Sequence, residues 1–121
     1  KTSTLTDDAK NHQIELLKEF MISEEPYLNP SLTIQELAKQ VKMPIKDLSV
    51  LINFHMNKHF FDFVNEYRIE KAMKILKNPL QKELTILEIL YQVGFNSKSS
   101  FNTSFKKHTG KTPTDFRNNP F

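Results

Sequence analysis

These 121 residues hold two glycines, no cysteine and no tryptophan. Two glycines are too few for a turn-dense β fold. Without cysteine there is no disulfide scaffold, no four-thiolate zinc site and no thiol catalysis. No apolar run approaches the roughly 20 residues that cross a bilayer, and the start carries no charged-then-apolar targeting segment. The cytoplasm is the expected compartment. The chain opens on Lys1 rather than Met, so it reads as a piece of a longer protein, with a membrane anchor elsewhere left open. Catalytic patterns are missing too: there is no glycine-rich phosphate loop, no paired carboxylates and no Ser/His/Asp set. His55 and His59 are four apart, the spacing of two ligands on one helical face. However, Asn57 is expected to end the helix between them, and no acid stands where a zinc hydrolase needs one. No enzyme activity, cofactor or metal is expected.

What is present is helical. The length supports one modest core, or two small cores sharing an element. The net charge of +3 is unevenly distributed: residues 1–56 carry 6 Lys against 8 Asp+Glu, and residues 57–121 carry 11 Lys+Arg against 6. The basic half is the second.

Residues 1–5 read as a frayed end, and Thr6, Asp7 and Asp8 as an N-cap with first-turn acids. Ile14, Leu17, Phe20 and Met21 then mark a helix over 7–23, ended before Pro26. Thr33 and Glu36 form a capping box for a helix to Gln40 with Ile34, Leu37, Ala38 and Val41 inward. A turn over 41–44 leads to a helix over 45–55 with Leu48, Leu51 and Ile52 inward, stopped at Asn57 in a left-handed conformation. The longest periodic segment is 60–77. It places Phe60, Val64, Tyr67 or Phe63, Ala72, Ile75 and Leu76 on the apolar face and Arg68, Glu70, Lys71 and Lys74 on the rest, with Arg68 read as a structural residue. Asn78-Pro79 ends it.

The densest signals lie in 85–117. Thr85 and Glu88 form a second capping box, and Ile86, Ile89, Leu90 and Val93 give one apolar face. Gly94 sits where the helix must stop. Ser97 caps the next helix, on which Phe101 and Phe105 are one turn apart and read as core. Gly110 ends it, and Thr112-Pro113 opens another as N-cap and N1. Two short helices around a glycine turn, the second rich in Lys, Ser, Asn and Thr, make a helix-turn-helix reader. The run V-G-F-N-S-x-S-S-F-x-x-x-F-K-K-x-x-G-x-T-P-x-x-F-R, Val93 to Arg117, resembles the C-terminal signature of the AraC/XylS transcription regulators. Lys42 and Val50 stand where that family commonly has Gly and Arg.

The unit is repeated. Thr33, Ile34, Glu36 and Val41 recur 52 residues later as Thr85, Ile86, Glu88 and Val93, while Lys58, Asp62 and Phe63 recur 53 residues later as Lys111, Asp115 and Phe116. One extra residue in the second copy's turn or recognition helix accounts for the change. The expected fold is all-α, with two helix-turn-helix subdomains joined by a long linker helix, about seven helices in total. The expected divisions are 1–24 (linker and first helix), 25–57 (first helix-turn-helix), 58–79 (linker helix) and 80–121 (second helix-turn-helix). The resemblance covers about 14–118 and implies sequence-specific binding to double-stranded DNA and transcription regulation. A linker helix of about 17 residues spans about 26 Å, against about 34 Å between successive major grooves. That suits two recognition helices in adjacent grooves.

Candidate base contacts are Lys46, Ser49, Val50 and Asn53 in the first unit and Lys98, Ser99, Asn102 and Thr103 in the second. Candidate phosphate contacts are Lys58, Lys106, Lys107, Lys111 and Arg117. Lys46 reads equally well as a solvated residue, and Lys58 and Lys111 also suit the helix dipole. RNA polymerase is kept as a further partner. The domain alone is expected to be monomeric, with dimerisation through an N-terminal region outside this stretch. The alternative is a helical protein-interaction module of the same fold that has lost DNA binding, an idea prompted by the nearly neutral first reading helix.

Overall fold

The computed structural model describes the backbone of residues 3–119 and the side chains of residues 8–119. The described residues form seven α-helices: α1 Ser3–Glu24, α2 Ile34–Gln40, α3 Ile45–Val50, α4 Phe60–Lys77, α5 Ile86–Gln92, α6 Lys98–Thr109 and α7 Pro113–Asn118. Short 3-10 turns at Pro26–Leu28 and Pro79–Gln81 punctuate them. No strand occurs among the described residues, and none of their helices is long and apolar enough to cross a membrane.

The chain divides into two compact units. One comprises Lys1–Pro26 with Ser31–Phe63, the other Tyr27–Pro30 with Val64–Phe121. In the first, Leu17 and Met21 of α1, Leu37 and Ala38 of α2, and Leu48, Leu51 and Ile52 are buried. The α1 backbone begins at Ser3, so Thr6 lies within the helix rather than at its cap; extending a formed helix by a turn costs far less than nucleating one. The side chains of Thr6 and Asp7, and residues 1–2, lie outside the described residues.

In the second unit Ile69, Ala72, Ile75 and Leu76 of α4 meet Ile89, Leu90, Val93, Phe95, Phe101, Phe105 and Phe116. Four phenylalanines run through this core as a chain. Phe95–Phe101, Phe101–Phe105 and Phe105–Phe116 ring centroids lie 5.3, 5.6 and 5.4 Å apart, in tilted or edge-on geometry. Edge-on and tilted rings satisfy the aromatic quadrupole better than a face-to-face sandwich does.

Arg68 departs from its expected place on the polar face of α4, being only 6% exposed. Its Nε donates to the Tyr27 carbonyl at 2.7 Å and its Nη2 to the Asn29 carbonyl at 2.9 Å; Nη1 reaches Asn65 Oδ1 at 2.8 Å. The guanidinium also lies 5.6 Å from the centre of the Phe95 ring. Tyr27 stacks on Tyr67 at 5.9 Å. These contacts bind Tyr27–Pro30 into the second unit although the segment follows α1 in sequence. Gly94 completes the arrangement at φ +105, where a Cβ would stand 2.2 Å from the Tyr27 carbonyl oxygen.

Candidate nucleic-acid interface

Each unit contains a short helix, a tight turn and a second helix. In both, an N-cap threonine accepts from the N–H three residues on, Thr33 from Glu36 and Thr85 from Glu88. The full reciprocal box forms at Thr85, where Glu88 accepts from the Thr85 N–H at 2.9 Å. Among the described residues Thr33 has only its half, so the capping box expected there is corrected to a simple cap. Thr85 holds the Glu88 carboxyl below the usual carboxylate range through these hydrogen bonds.

The turns then match bond for bond. Met43 N–H donates to the Ala38 carbonyl and Phe95 N–H to the Leu90 carbonyl, both at 2.9 Å. Lys42 and Gly94 hold the same place with φ of 58 and 105. The second helix follows Pro44 in one unit and Ser97 in the other. Asn96 is therefore the extra residue, and it lies in the turn.

The second reading helix, α6, has Phe101 and Phe105 fully buried. Lys98, Ser99, Asn102, Thr103, Lys106 and Lys107 are exposed. A 3.6-residue period puts the buried pair on one side and the polar set outward. Ser97 caps the start by accepting from Ser100 N–H, and Gly110 ends the helix at φ 79. His108 Nε2 pairs with Glu70 Oε2 of α4, tying the end of the helix to its own unit. Among the described residues Lys46, Lys98 and Lys106 engage no hydrogen bond or ion pair.

The other proposed phosphate contacts are differently placed. Arg117 spends its Nη atoms on the carbonyls of Leu84, at 2.6 Å, and Gln81, at 3.4 Å, and its Nε is buried without a partner. Lys111 Nζ donates to the Asn119 carbonyl at 2.8 Å. Lys58 is half-buried just past the left-handed Asn57, which stops the first reading helix as expected.

That first helix is not α-helical throughout. The sequence predicts one α-helix over 45–55, but α3 ends at Val50 and Leu51–His55 form a π turn. Lys46 and Asn53 are exposed, Val50 is 40% exposed and Ser49 is half-buried. Asn53 Nδ2 donates to Ser49 Oγ at 3.0 Å. Phe54, absent from the sequence-derived set, is 77% exposed. Its position opposite Lys107 in the repeat is the signal that could have found it. Charge separates the helices: Lys98–Thr109 holds three lysines and no acid, whereas Ile45–His55 holds Lys46 against Asp47.

Two repeated helix-turn-helix units, each presenting the outer face of its second helix, define a double helix-turn-helix domain. The model of a helix-turn-helix domain family matches residues 37–119. The chain is 33% identical over 91 residues to the transcriptional regulatory protein YesN of Bacillus subtilis strain 168, covering 74% of this chain and 24% of that protein. It is 30% identical over 86 residues to the HTH-type transcriptional regulator YdeC of the same organism, covering 71% and 28%. Among solved structures it superposes with a TM-score of 0.70 on the C-terminal domain of the two-component response regulator yesN from Fusobacterium nucleatum. That likeness has 30% identity and covers 88% of this chain and 98% of that one. The chain belongs to the AraC-type helix-turn-helix family of transcription regulators. It spans about a quarter of the length of these two curated relatives.

Proposed function

We propose that this chain binds double-stranded DNA with sequence specificity and regulates transcription, its two reading helices entering adjacent major grooves. The observation that carries this reading is the α6 face, where Lys98, Ser99, Asn102, Thr103 and Lys106 are exposed over fully buried Phe101 and Phe105. Asn102 suits bidentate pairing with adenine, Lys98 favours guanine, and Ser99 and Thr103 accept several bases. Lys106 and Lys107, a turn further on, suit phosphates, which add affinity without sequence information. In the first unit Lys46, Ser49, Val50 and Asn53 take the base-edge role. Lys58 remains a phosphate ligand in this reading. Lys111 and Arg117 act chiefly by holding the carbonyls they already bond.

The DNA partner sets the compartment we infer, the bacterial cytoplasm, whether or not a longer protein is anchored in a membrane. As a module of a longer regulator, the domain is a monomer whose pairing comes from regions outside this stretch, and RNA polymerase is its second partner on promoter DNA. The functional divisions we propose keep the sequence bounds 1–24, 25–57, 58–79 and 80–121, except that Tyr27–Pro30 packs with the second unit and the compact units part within α4, after Phe63. The expected function is recognition alone, with no reaction catalysed.

Two substitutions test the assignments. Asn102→Ala should relax base preference at one position of the bound site. Lys106→Ala should weaken binding to all sequences alike and reduce the slope of log K against log salt by about one. Equal losses on every sequence for Asn102→Ala, measured by competition binding, would count against base reading by α6.

A further inference from the structure

The two reading helices share a repeat but present different chemistry. Counting from Pro44 and Ser97, Ser49 stands opposite Asn102, Val50 opposite Thr103, Asn53 opposite Lys106 and Phe54 opposite Lys107. Where α6 places two lysines, the first unit places Asn53 and an aromatic ring. The amide of Asn53 is already bonded to Ser49 Oγ at 3.0 Å, so part of the polar capacity of this helix is spent internally. Its apolar groups are outside: Val50 is 40% exposed and Phe54 77%.

The π turn brings those two into line. On a regular α-helix a residue four further on lies about 40° ahead of its predecessor. An i→i+5 turn rotates less per residue, so across Leu51–His55 the side chains lag. Phe54 then falls in behind Val50 and Lys46, on the side away from buried Leu48 and Ile52. His55 records the same lag. Seven residues after Leu48, an α-helix would return it to the buried side, yet it is exposed. π turns of this kind recur at functional sites.

On base edges in the major groove the apolar group is the 5-methyl of thymine. We infer that the first reading helix is a thymine-methyl reader, with Val50 and Phe54 packing on the methyl groups of an A·T-rich half-site. This inference rests on the DNA-binding reading above. Val50 and Phe54 are at most about 6 Å apart along the helix axis, the α-helical rise being the upper bound for a π turn, so the methyls they touch lie one or two base steps of about 3.4 Å apart.

The test uses the 121-residue chain and the duplex it selects from a random pool. The block whose preference survives Asn102→Ala belongs to the first unit. Each thymine of that block is replaced by deoxyuridine, which keeps the pairing edge and removes only the methyl. Binding should weaken about fourfold per contacted methyl, the worth of burying one such group. Val50→Ala and Phe54→Ala should each bind the thymine duplex more weakly and lose sensitivity to deoxyuridine at one position, a non-additive cycle. Both side chains are exposed, so circular dichroism should match that of the parent chain. If a motif is selected but deoxyuridine binds as well as thymine, this inference is overturned and the DNA reader stands. If Phe54→Ala leaves affinity and deoxyuridine sensitivity unchanged, the part of Phe54 in methyl reading is overturned. Failure to select any motif overturns the reader and this inference together.

Discussion

Gly94 and Gly110 both take positive φ, but the two positions differ in what surrounds them. A Cβ at Gly94 would meet the Tyr27 carbonyl at 2.2 Å and Arg68 Nε at 2.8 Å, whereas at Gly110 it would meet nothing within 4 Å. Gly94→Ala should therefore destabilise by about 3 kcal/mol or more, combining strain with overpacking. Gly110→Ala should cost about 1 kcal/mol, the left-handed penalty alone. Urea denaturation of the two variants measures the difference, and equal losses would contradict the close approach at Gly94. The sequence shows that a helix stops at Gly94, but not that a carbonyl lies against it. The partner sits 67 residues earlier in the chain, at Tyr27. Arg68 is hidden for the same reason. The sequence reads Arg68 as a structural residue of the linker helix, but the carbonyls it holds, at Tyr27 and Asn29, are not legible there. Burial pushes its pKa down to about 10, which leaves it charged at neutral pH, while its hydrogen bonds to two carbonyls and Asn65 offset the cost of burying that charge. Arg68→Lys keeps the charge and loses the planar fork. It should cost about 2 kcal/mol, read by the same denaturation.

Helices α5 and α6 and the start of α7 are legible in the sequence almost to the residue. Their limits are written in local chemistry: Thr85 with Glu88, Ser97, Gly110, and Thr112 before Pro113. Thr85→Ala should cost about 1 kcal/mol for the lost cap. Because the Glu88 carboxyl titrates below its ordinary value, its contribution is fully present above the ordinary carboxylate range. It is lost as pH falls through the lowered value. Thermal melts from about pH 5 downward should accordingly show a smaller acid loss for Glu88→Gln than for the parent chain. An unchanged acid slope would remove Glu88 from the cap. The change of repeat offset announces one extra residue, and matched turn bonds assign it to Asn96. The π turn at Leu51–His55 leaves no mark in the sequence. Leu48, Leu51 and Ile52 satisfy an α-helical period equally well, and the departure is seen in the structure, where Met56 N–H bonds to the Leu51 carbonyl at 2.9 Å.

Across the whole chain, the repeat and the uneven charge are legible in the amino-acid sequence by itself. Residues 57–121 carry 11 basic against 6 acidic side chains, and residues 1–56 carry 6 against 8. This asymmetry predicts that binding free energy is shared unequally. On the proposed reading the second unit would supply most of the salt-dependent attraction, through Lys106 and Lys107 with Lys98, and the first unit would read bases with little net charge of its own. Lys106→Ala should thus flatten the salt dependence, whereas Lys46→Ala should change it less, since Asp47 beside it already cancels its charge at long range. The most direct test of the central claim is selection from a randomised duplex pool by this chain at two salt concentrations, followed by sequencing. Two reading helices in adjacent grooves should give an enriched motif of two blocks about one helical turn apart, with affinity falling as salt rises. Salt-sensitive binding with no enriched sequence, or no binding even at low salt, would contradict it.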